Sequence, residues 1–333
     1  MKKSIILYII VLSLIFMTAC NDGNTERSVF GMRRGINIGN ALEAPNEGEW
    51  GVTVKDEYFK IIKDAGFDTV RIPIKWSAHA MADPPYTIDK AFFDRIDHLV
   101  NQSLEQKLCT IINIHHFDEL VKDPEAQKER FLSIWQQIAE HYKNYPDKLY
   151  FEILNEPNGA LDQYWNDYLA EAVEVIRKSN PDRILIAGPG NWNGISALEN
   201  FEIPEDDKNI IVTFHYYNPF WFTHQGAEWV NPSPPVGKEW EGTDDQKQFI
   251  EDEILKAVDW AKEHNRQLFM GEFGAYSKAD MESRAKWTSF VARTAEKYDI
   301  AWAYWEFCSG FGAYDPVLNQ WREPLLQALV PSE

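Results

Sequence analysis

Cysteine is scarce in this sequence. Cys20, Cys109 and Cys308 are the three in 333 residues, too few for a disulfide framework and without the Cys-x-x-Cys spacing of a structural zinc or thioredoxin-type redox site. Positive charge is also short. Thirty-three Lys and Arg stand against 52 Asp and Glu, a formal net charge of −19. That field repels phosphate backbones and anionic headgroups, which excludes nucleic acid and polyanions as natural partners and favours neutral ones. Past the first twenty residues there is no apolar run near the ~20 residues that span a bilayer, and no low-complexity linker divides the chain. What is abundant is aromatic: 13 Trp, 14 Tyr and 19 Phe, more than a core requires, so flat faces that stack on a ligand are expected. With 44% hydrophobic and 26% charged residues, the balance is that of a globular protein.

The N-terminus reads as a targeting segment. Met1-Lys2-Lys3 is basic, and Ile5 to Met17 is an apolar run too short to cross a membrane. Thr18-Ala19-Cys20, followed by polar Asn21-Asp22-Gly23-Asn24, resembles the cleavage box of bacterial lipoproteins, with Met17 in place of the usual Leu. Residues 1–19 are therefore expected to be a signal peptide, Cys20 a lipidated first residue, and 20–34 a tether. That places the protein in the cell envelope or on the cell surface, touching the membrane through its lipid anchor alone. The competing reading is a plain secretory signal with an incidental cysteine. Cys109 and Cys308, assigned to strands three and eight, are expected to be free buried thiols.

From Gly35 onward, short β-rich runs alternate with longer segments of helical period. The strand-like runs are Gly35–Asn40, Thr69–Pro73, Cys109–His115, Leu149–Leu154, Ile184–Ala187, Ile210–His215, Leu268–Gly271 and Ala301–Glu306. In Ala91–Lys107, Phe92, Ile96, Leu99 and Val100 share one face, and in Lys278–Tyr298 so do Trp287, Phe290, Val291 and Thr294. A helix after the fifth run is poorly signalled. Eight strands alternating with helices predict a single α/β domain over 35–333, a (β/α)8 TIM barrel whose site lies at the carboxyl ends of the strands. The long Trp-, Pro- and Gly-rich stretch from Tyr217 to Thr243 is expected to be a binding loop over that mouth.

Reactive side chains gather where the runs end: Arg71, His115 and His116, Asn155 and Glu156, His215 and Tyr217, Glu272, and Trp305. Two carboxylates facing one mouth are what retaining glycoside hydrolysis needs, one acid to protonate the departing oxygen and one carboxylate to attack the anomeric carbon. Each residue also has a plainer reading. Glu156 before Pro157 could be a loop carboxylate, Arg71 a structural ion pair, and Trp305 part of the core. Gly271 and Gly274 on either side of Glu272 are expected to let the backbone turn tightly and bring a ligand close. His115-His116 could be packed imidazoles or metal ligands. A metal reading lacks His-Glu-x-x-His or the His-x-His, Lys and Asp set of metal-dependent barrel hydrolases, so neither metal nor other cofactor is expected.

Together these residues resemble glycoside hydrolase family 5. The resemblance runs from Gly35-Ile36-Asn37-Ile38-Gly39-Asn40 to Ser309-Gly310-Phe311-Gly312, and Asn40-Ala41-Leu42-Glu43-Ala44-Pro45 with Tyr217-Asn218-Pro219-Phe220 point to bacterial endo-β-1,4-glucanases that also cut mannan. It implies Glu156 as acid/base and Glu272 as nucleophile, their carboxyl groups about 5–5.5 Å apart. By the same resemblance Asn155 meets the sugar 2-hydroxyl, Arg71 and Tyr217 hold Glu272, and His215 supports the acid/base. His115, His116 and Trp305 line the subsite at the cleavage point, while Asn40, Glu43 and Trp229 recognise sugars. The implied partner is a β-1,4-linked polysaccharide, and a monomer is expected. Two alternatives stay open: an endo-β-1,4-mannanase, and a surface lipoprotein that binds glycans without cleaving them.

Overall fold

The computed structural model describes residues 30–332. Its centre is a closed barrel of eight parallel strands, each paired with the next in sequence and the last with the first. The strands are β1 (Arg34–Asn37), β2 (Thr69–Ile72), β3 (Cys109–Asn113), β4 (Leu149–Glu152), β5 (Leu185–Ala187), β6 (Ile210–Tyr216), β7 (Leu268–Phe273) and β8 (Ala301–Tyr304). From β2 to β8 every strand residue is buried. That is why these strands read as continuous apolar runs: in a barrel both faces are covered.

Side chains alternate between two environments along each strand. Ile112, Phe151, Leu185, Val212, Met270 and Trp302 point outward into the layer shared with the helices, while Ile111, Tyr150, Ile186, Ile211, Phe269 and Ala303 form a separate cluster inside the barrel. Toward the carboxyl end the inward positions become polar: Asn37, Arg71, Asn113, Glu152, Thr213 and His215 are all buried there. The apolar plug thus fixes the lower barrel, and the polar layer forms the floor of the mouth.

The helices are α1 (Glu57–Asp64), α2 (Lys90–Glu105), α3 (Asp118–Lys122), α4 (Pro124–Tyr142), α5 (Trp165–Arg177), α6 (Gly190–Asn193), α7 (Phe220–Thr223), α8 (Asp244–Glu263), α9 (Met281–Lys297) and α10 (Glu323–Leu329). Side-chain caps start four of the long ones: Asp89 for α2, Asp123 for α4, Asp280 for α9, and Thr243 with Gln246 in a capping box for α8. Between β5 and β6 there is only the four-residue segment α6, in which Asn191, Trp192 and Asn193 take left-handed rather than α-helical dihedrals, and a short 3₁₀ turn at Ile195–Asn200, which explains the weak helical signal. A small hairpin, β9 (Tyr314–Asp315) with β10 (Gln320–Trp321), was not apparent in the sequence.

Several strands stop short of the expected ends. Asn40, His116 and Glu156 have left-handed φ of 60°, 50° and 49°, which no β-ladder accommodates, so the chain leaves the sheet before each of them. Conversely β6 and β7 run on to Tyr216 and Phe273, so that Glu272, expected just after its strand, lies within it. Cys308 lies four residues beyond β8 rather than in it; it and Cys109 are free and buried. The expected signal peptide, the lipidated Cys20 and the tether up to residue 29 lie outside the described residues, and Met32 packs buried against the barrel's lower cluster. Among the described residues no helix is long and apolar enough to cross a membrane.

Candidate active site

A groove crosses the carboxyl end of the barrel. Its lining includes ten of the residues singled out above: Asn40, Glu43, His115, His116, Asn155, Glu156, Tyr217, Trp229, Glu272 and Trp305. The other two, Arg71 and His215, lie beneath it as buried supports. The groove also takes in Trp50, His224 and Tyr276, which sequence reasoning missed, and Ser309, Gly310 and Phe311, which closed the resemblance but were given no role in the site. They sit on loops with no periodicity to mark them, although the aromatic excess already called for such a wall.

Arg71 is the hub of the floor. Its five N–H donors are all committed: Nε and Nη2 to Glu152 at 2.5 and 2.8 Å, Nη1 to Glu272 Oε1 at 2.7 Å and Asn37 Oδ1 at 2.8 Å, and Nη2 also to Asn155 Oδ1 at 2.7 Å. Burial on its own would favour the neutral guanidine, but the carboxylates of Glu152 and Glu272 outweigh it and hold Arg71 charged. Glu152 was missed in the sequence. Its signal was there, a single acid inside the buried run Leu149-Tyr150-Phe151-Glu152, since a charge in such a run must be paired.

The two mouth carboxylates have different neighbours. Glu272 accepts from Arg71 on one oxygen and from Tyr217 Oη at 2.9 Å on the other. Burial, with Glu156 adding to it, holds its pKa above the ordinary carboxylate value, and His215, Arg71 and Tyr217 oppose that rise without cancelling it. Glu156 has no cation in direct contact; His215 Nδ1 lies 2.8 Å from its Oε1. Burial pushes its carboxyl up to about 7, with Arg71 opposing and Glu152 adding to the rise. One oxygen of Glu156, one of Glu272 and a ring nitrogen of His215 all lie within 4.8 Å of one another. Among the described residues these three also make up the one donor cluster able to close on a metal ion, though His215 Nδ1 is engaged by the carboxylates.

The β6–β7 register makes this pairing. Phe214 pairs with Met270 and His215 with Glu272, so Gly271 is an extra residue on β7. The bulge re-aims the strand end, a common device at active sites. Gly271 and Gly274 turn out to serve close packing rather than a left-handed turn. A Cβ on Gly271 would lie 2.7 Å from Thr213 Oγ1, and one on Gly274 2.1 Å from the Trp305 carbonyl oxygen.

Burial keeps the three histidines His115, His116 and His215 neutral. Burial lowers His116 and His215 to about 4 and His115 well below its ordinary value. Asn113 Oδ1 accepts from the Ile74 N–H at 3.1 Å, so its Nδ2 is the atom turned to His115 Nδ1 at 3.1 Å. The remaining His115 nitrogen, Nε2, therefore carries the proton. The His115 ring lies parallel to Trp305, 5.9 Å between centroids. Glu43 accepts the backbone N–H groups of Asn40 and Ala41; burial outweighs those bonds and pushes its carboxyl up to about 8. Trp229 stands 60% exposed above the groove, its ring edge-on to Tyr276.

With this geometry in hand, the comparisons with known proteins are specific. The family model for cellulase, glycosyl hydrolase family 5, matches residues 29–310. Endoglucanase H of Acetivibrio thermocellus is 41% identical over 280 residues, which are 83% of this chain and 29% of that protein. Cellulase/esterase CelE of the same organism is 32% identical over 85% of this chain and 36% of its own length, so this chain spans about a third of each. Structures of Thermotoga maritima Cel5A in complex with cellobiose and with mannotriose are 55% identical, with a TM-score of 0.89 over 90% of this chain and 98% of theirs. Since the family match covers most of its length, the chain belongs to the cellulases of glycosyl hydrolase family 5.

Proposed function

We propose that this protein is an endo-β-1,4-glucanase that hydrolyses its substrate by double displacement, with Glu272 as nucleophile and Glu156 as acid/base. The observation that carries the reading is the carboxylate pair itself. One oxygen of each group lies within 4.8 Å of one on the other, an approach that supports the separation of about 5–5.5 Å typical of retaining enzymes over the roughly 6.5–9.5 Å of inverting ones. The relatives named as endoglucanases support the activity.

The surroundings divide the two roles. Direct donation from Arg71 and Tyr217 favours an ionised Glu272, ready to attack the anomeric carbon. Glu156, raised to about 7, holds a proton for the departing oxygen. Once the glycosyl ester forms, the charge on Glu272 is gone and the proton affinity of Glu156 falls. It then takes a proton from the water that cleaves the ester, and both carboxyls return to their starting states. Asn155 Oδ1 is occupied by Arg71, which leaves its Nδ2 to donate to the sugar 2-hydroxyl. His115 Nε2–H and the face of Trp305 complete the same subsite.

Mixed-linkage glucan and glucomannan are proposed among the better substrates, with mannan as a side activity. A 55% identical neighbour has been solved with both cellobiose and mannotriose, and Asn40, Glu43, His115, His116 and Trp229 all line the groove. The protein is further proposed to act as a monomer in the cell envelope, anchored through Cys20. The direct test is Glu272→Ala. Turnover of soluble β-glucan should fall by about 10⁴-fold or more, and azide should restore slow conversion of an activated β-cellobioside into the α-glycosyl azide. Substantial turnover without azide, or a β-azide product, would refute the assignment.

A further inference from the structure

Beyond the end of β5 the backbone does something costly. Asn191, Trp192 and Asn193 take left-handed φ of 51°, 57° and 55° in succession, a conformation disfavoured for side-chain-bearing residues and least so for Asn. Hydrogen bonds hold it there: Trp192 N–H to the Pro157 carbonyl at 3.0 Å, Asn191 N–H to Asp162 Oδ1 at 2.9 Å, and Gly194 N–H to the Asn191 carbonyl at 3.1 Å. The result is that Trp192 projects outward while Asn193 is fully buried. Its Nδ2 reaches 3.3 Å from His215 Nε2. The space for that amide is cleared by glycine, since a Cβ on Gly188 would lie 2.4 Å from Asn193 Oδ1 and one on Gly271 3.2 Å from His215 Nε2.

A neutral imidazole has one N–H and one lone pair, and their order is set by its partners. Here two carboxylates face Nδ1, Glu156 at 2.8 Å and Glu272 at 3.5 Å, which calls for a proton there, and Asn193 Nδ2 then donates to the lone pair left on Nε2, the amide's Oδ1 being buried without a partner. We propose that Asn193 is a positioning residue that fixes His215 in the Nδ1–H tautomer, so that a permanent donor is aimed at Glu156. The inference rests on the acid/base role proposed for Glu156. Its consequence for the cycle is that the Nδ1–H bond stabilises the Glu156 anion, the state that must accept a proton from water in the second step. In the opposite tautomer the Nδ1 lone pair would instead stabilise protonated Glu156.

The other charged or titratable groups around this pair are Arg71 from β2, His115 after β3, Glu152 from β4, Tyr217 after β6 and Glu272 from β7. All remain when Asn193 is replaced, so a change in proton position is traceable to the amide. The test uses whole protein labelled with ¹⁵N-histidine, with the His215 signals assigned by their loss in a His215→Asn variant. Two-bond correlations from the ring protons report which nitrogen is protonated. The expected result is a proton on Nδ1 alone in the unmodified protein and a proton on Nε2 in Asn193→Asp, whose carboxylate accepts where the amide donated. Asn193→Gly tolerates the left-handed φ and removes the donor; the alkaline limb of its kcat/KM profile should move up by about half a pH unit. A proton on Nε2 in the unmodified protein overturns the proposal, as does an unprotonated Nε2 in Asn193→Asp. An unmoved limb in Asn193→Gly reduces Asn193 to a packing residue. The tautomer is read without turnover, so failure here is distinct from failure of the azide test.

Discussion

Three acids near the mouth, the fully buried Glu43 and Glu306 and the half-buried Glu156, have their carboxyls pushed up to about 8, 7 and 7 respectively, loss of water being the largest cause in each. For Glu156, in its proposed role as acid/base, the consequence is kinetic: kcat/KM should decline as pH rises through about 7, because deprotonation would remove the acid. For Glu43 it is thermodynamic. A carboxyl raised above its unfolded value binds more protons in the native state, so its contribution falls as pH rises from about 4.5 to about 8. Glu43→Gln, isosteric with the protonated acid, escapes that loss. Relative to wild type it should gain stability between pH 5 and pH 9 by a few kcal/mol, on the order of 3. Melting temperatures of both proteins across that range check this, and parallel curves would contradict it.

At the scale of the elements, the barrel was legible and its irregularities were not. All eight strands could be read because parallel strands covered on both faces become apolar runs. The reactive residues could be placed because they follow those runs directly. Neither the one-residue bulge in β7 nor the left-handed turn at 191–193 has such a signature. Each depends on partners distant in sequence: His215 opposite Glu272 for the first, Pro157 and Asp162 for the second. Glycine was visible in both places, but only the folded chain shows what its missing Cβ makes room for. Gly271→Ala should cost about 1–3 kcal/mol of stability and lower activity by displacing Glu272, because the new methyl meets Thr213 Oγ1. That hydroxyl is buried without a partner, so Thr213→Ala in the same chain should recover part of both losses. Denaturant titration and rates on β-glucan decide; no recovery in the double variant would mean the strain lies elsewhere.

The whole molecule combines a strongly acidic sequence with a groove walled by aromatic rings, a combination suited to a neutral polymer. The breadth across glucan and mannan proposed above would depend on how the groove reads the 2-hydroxyl, equatorial in one and axial in the other. Stacking on Trp229 is indifferent to that hydroxyl, whereas hydrogen bonding around Asn40 and Glu43 is not. Trp229→Ala should therefore weaken both activities by similar factors, of roughly tenfold, while Glu43→Ala should change their ratio. A changed ratio in the Trp229 variant alone would reverse that division of labour. The central claim, double displacement through Glu156 and Glu272, is tested most directly by ¹H NMR of the first product released from a β-1,4-glucan oligosaccharide, before mutarotation. The account predicts that the new reducing end appears first as the β-anomer; initial appearance of the α-anomer would contradict it.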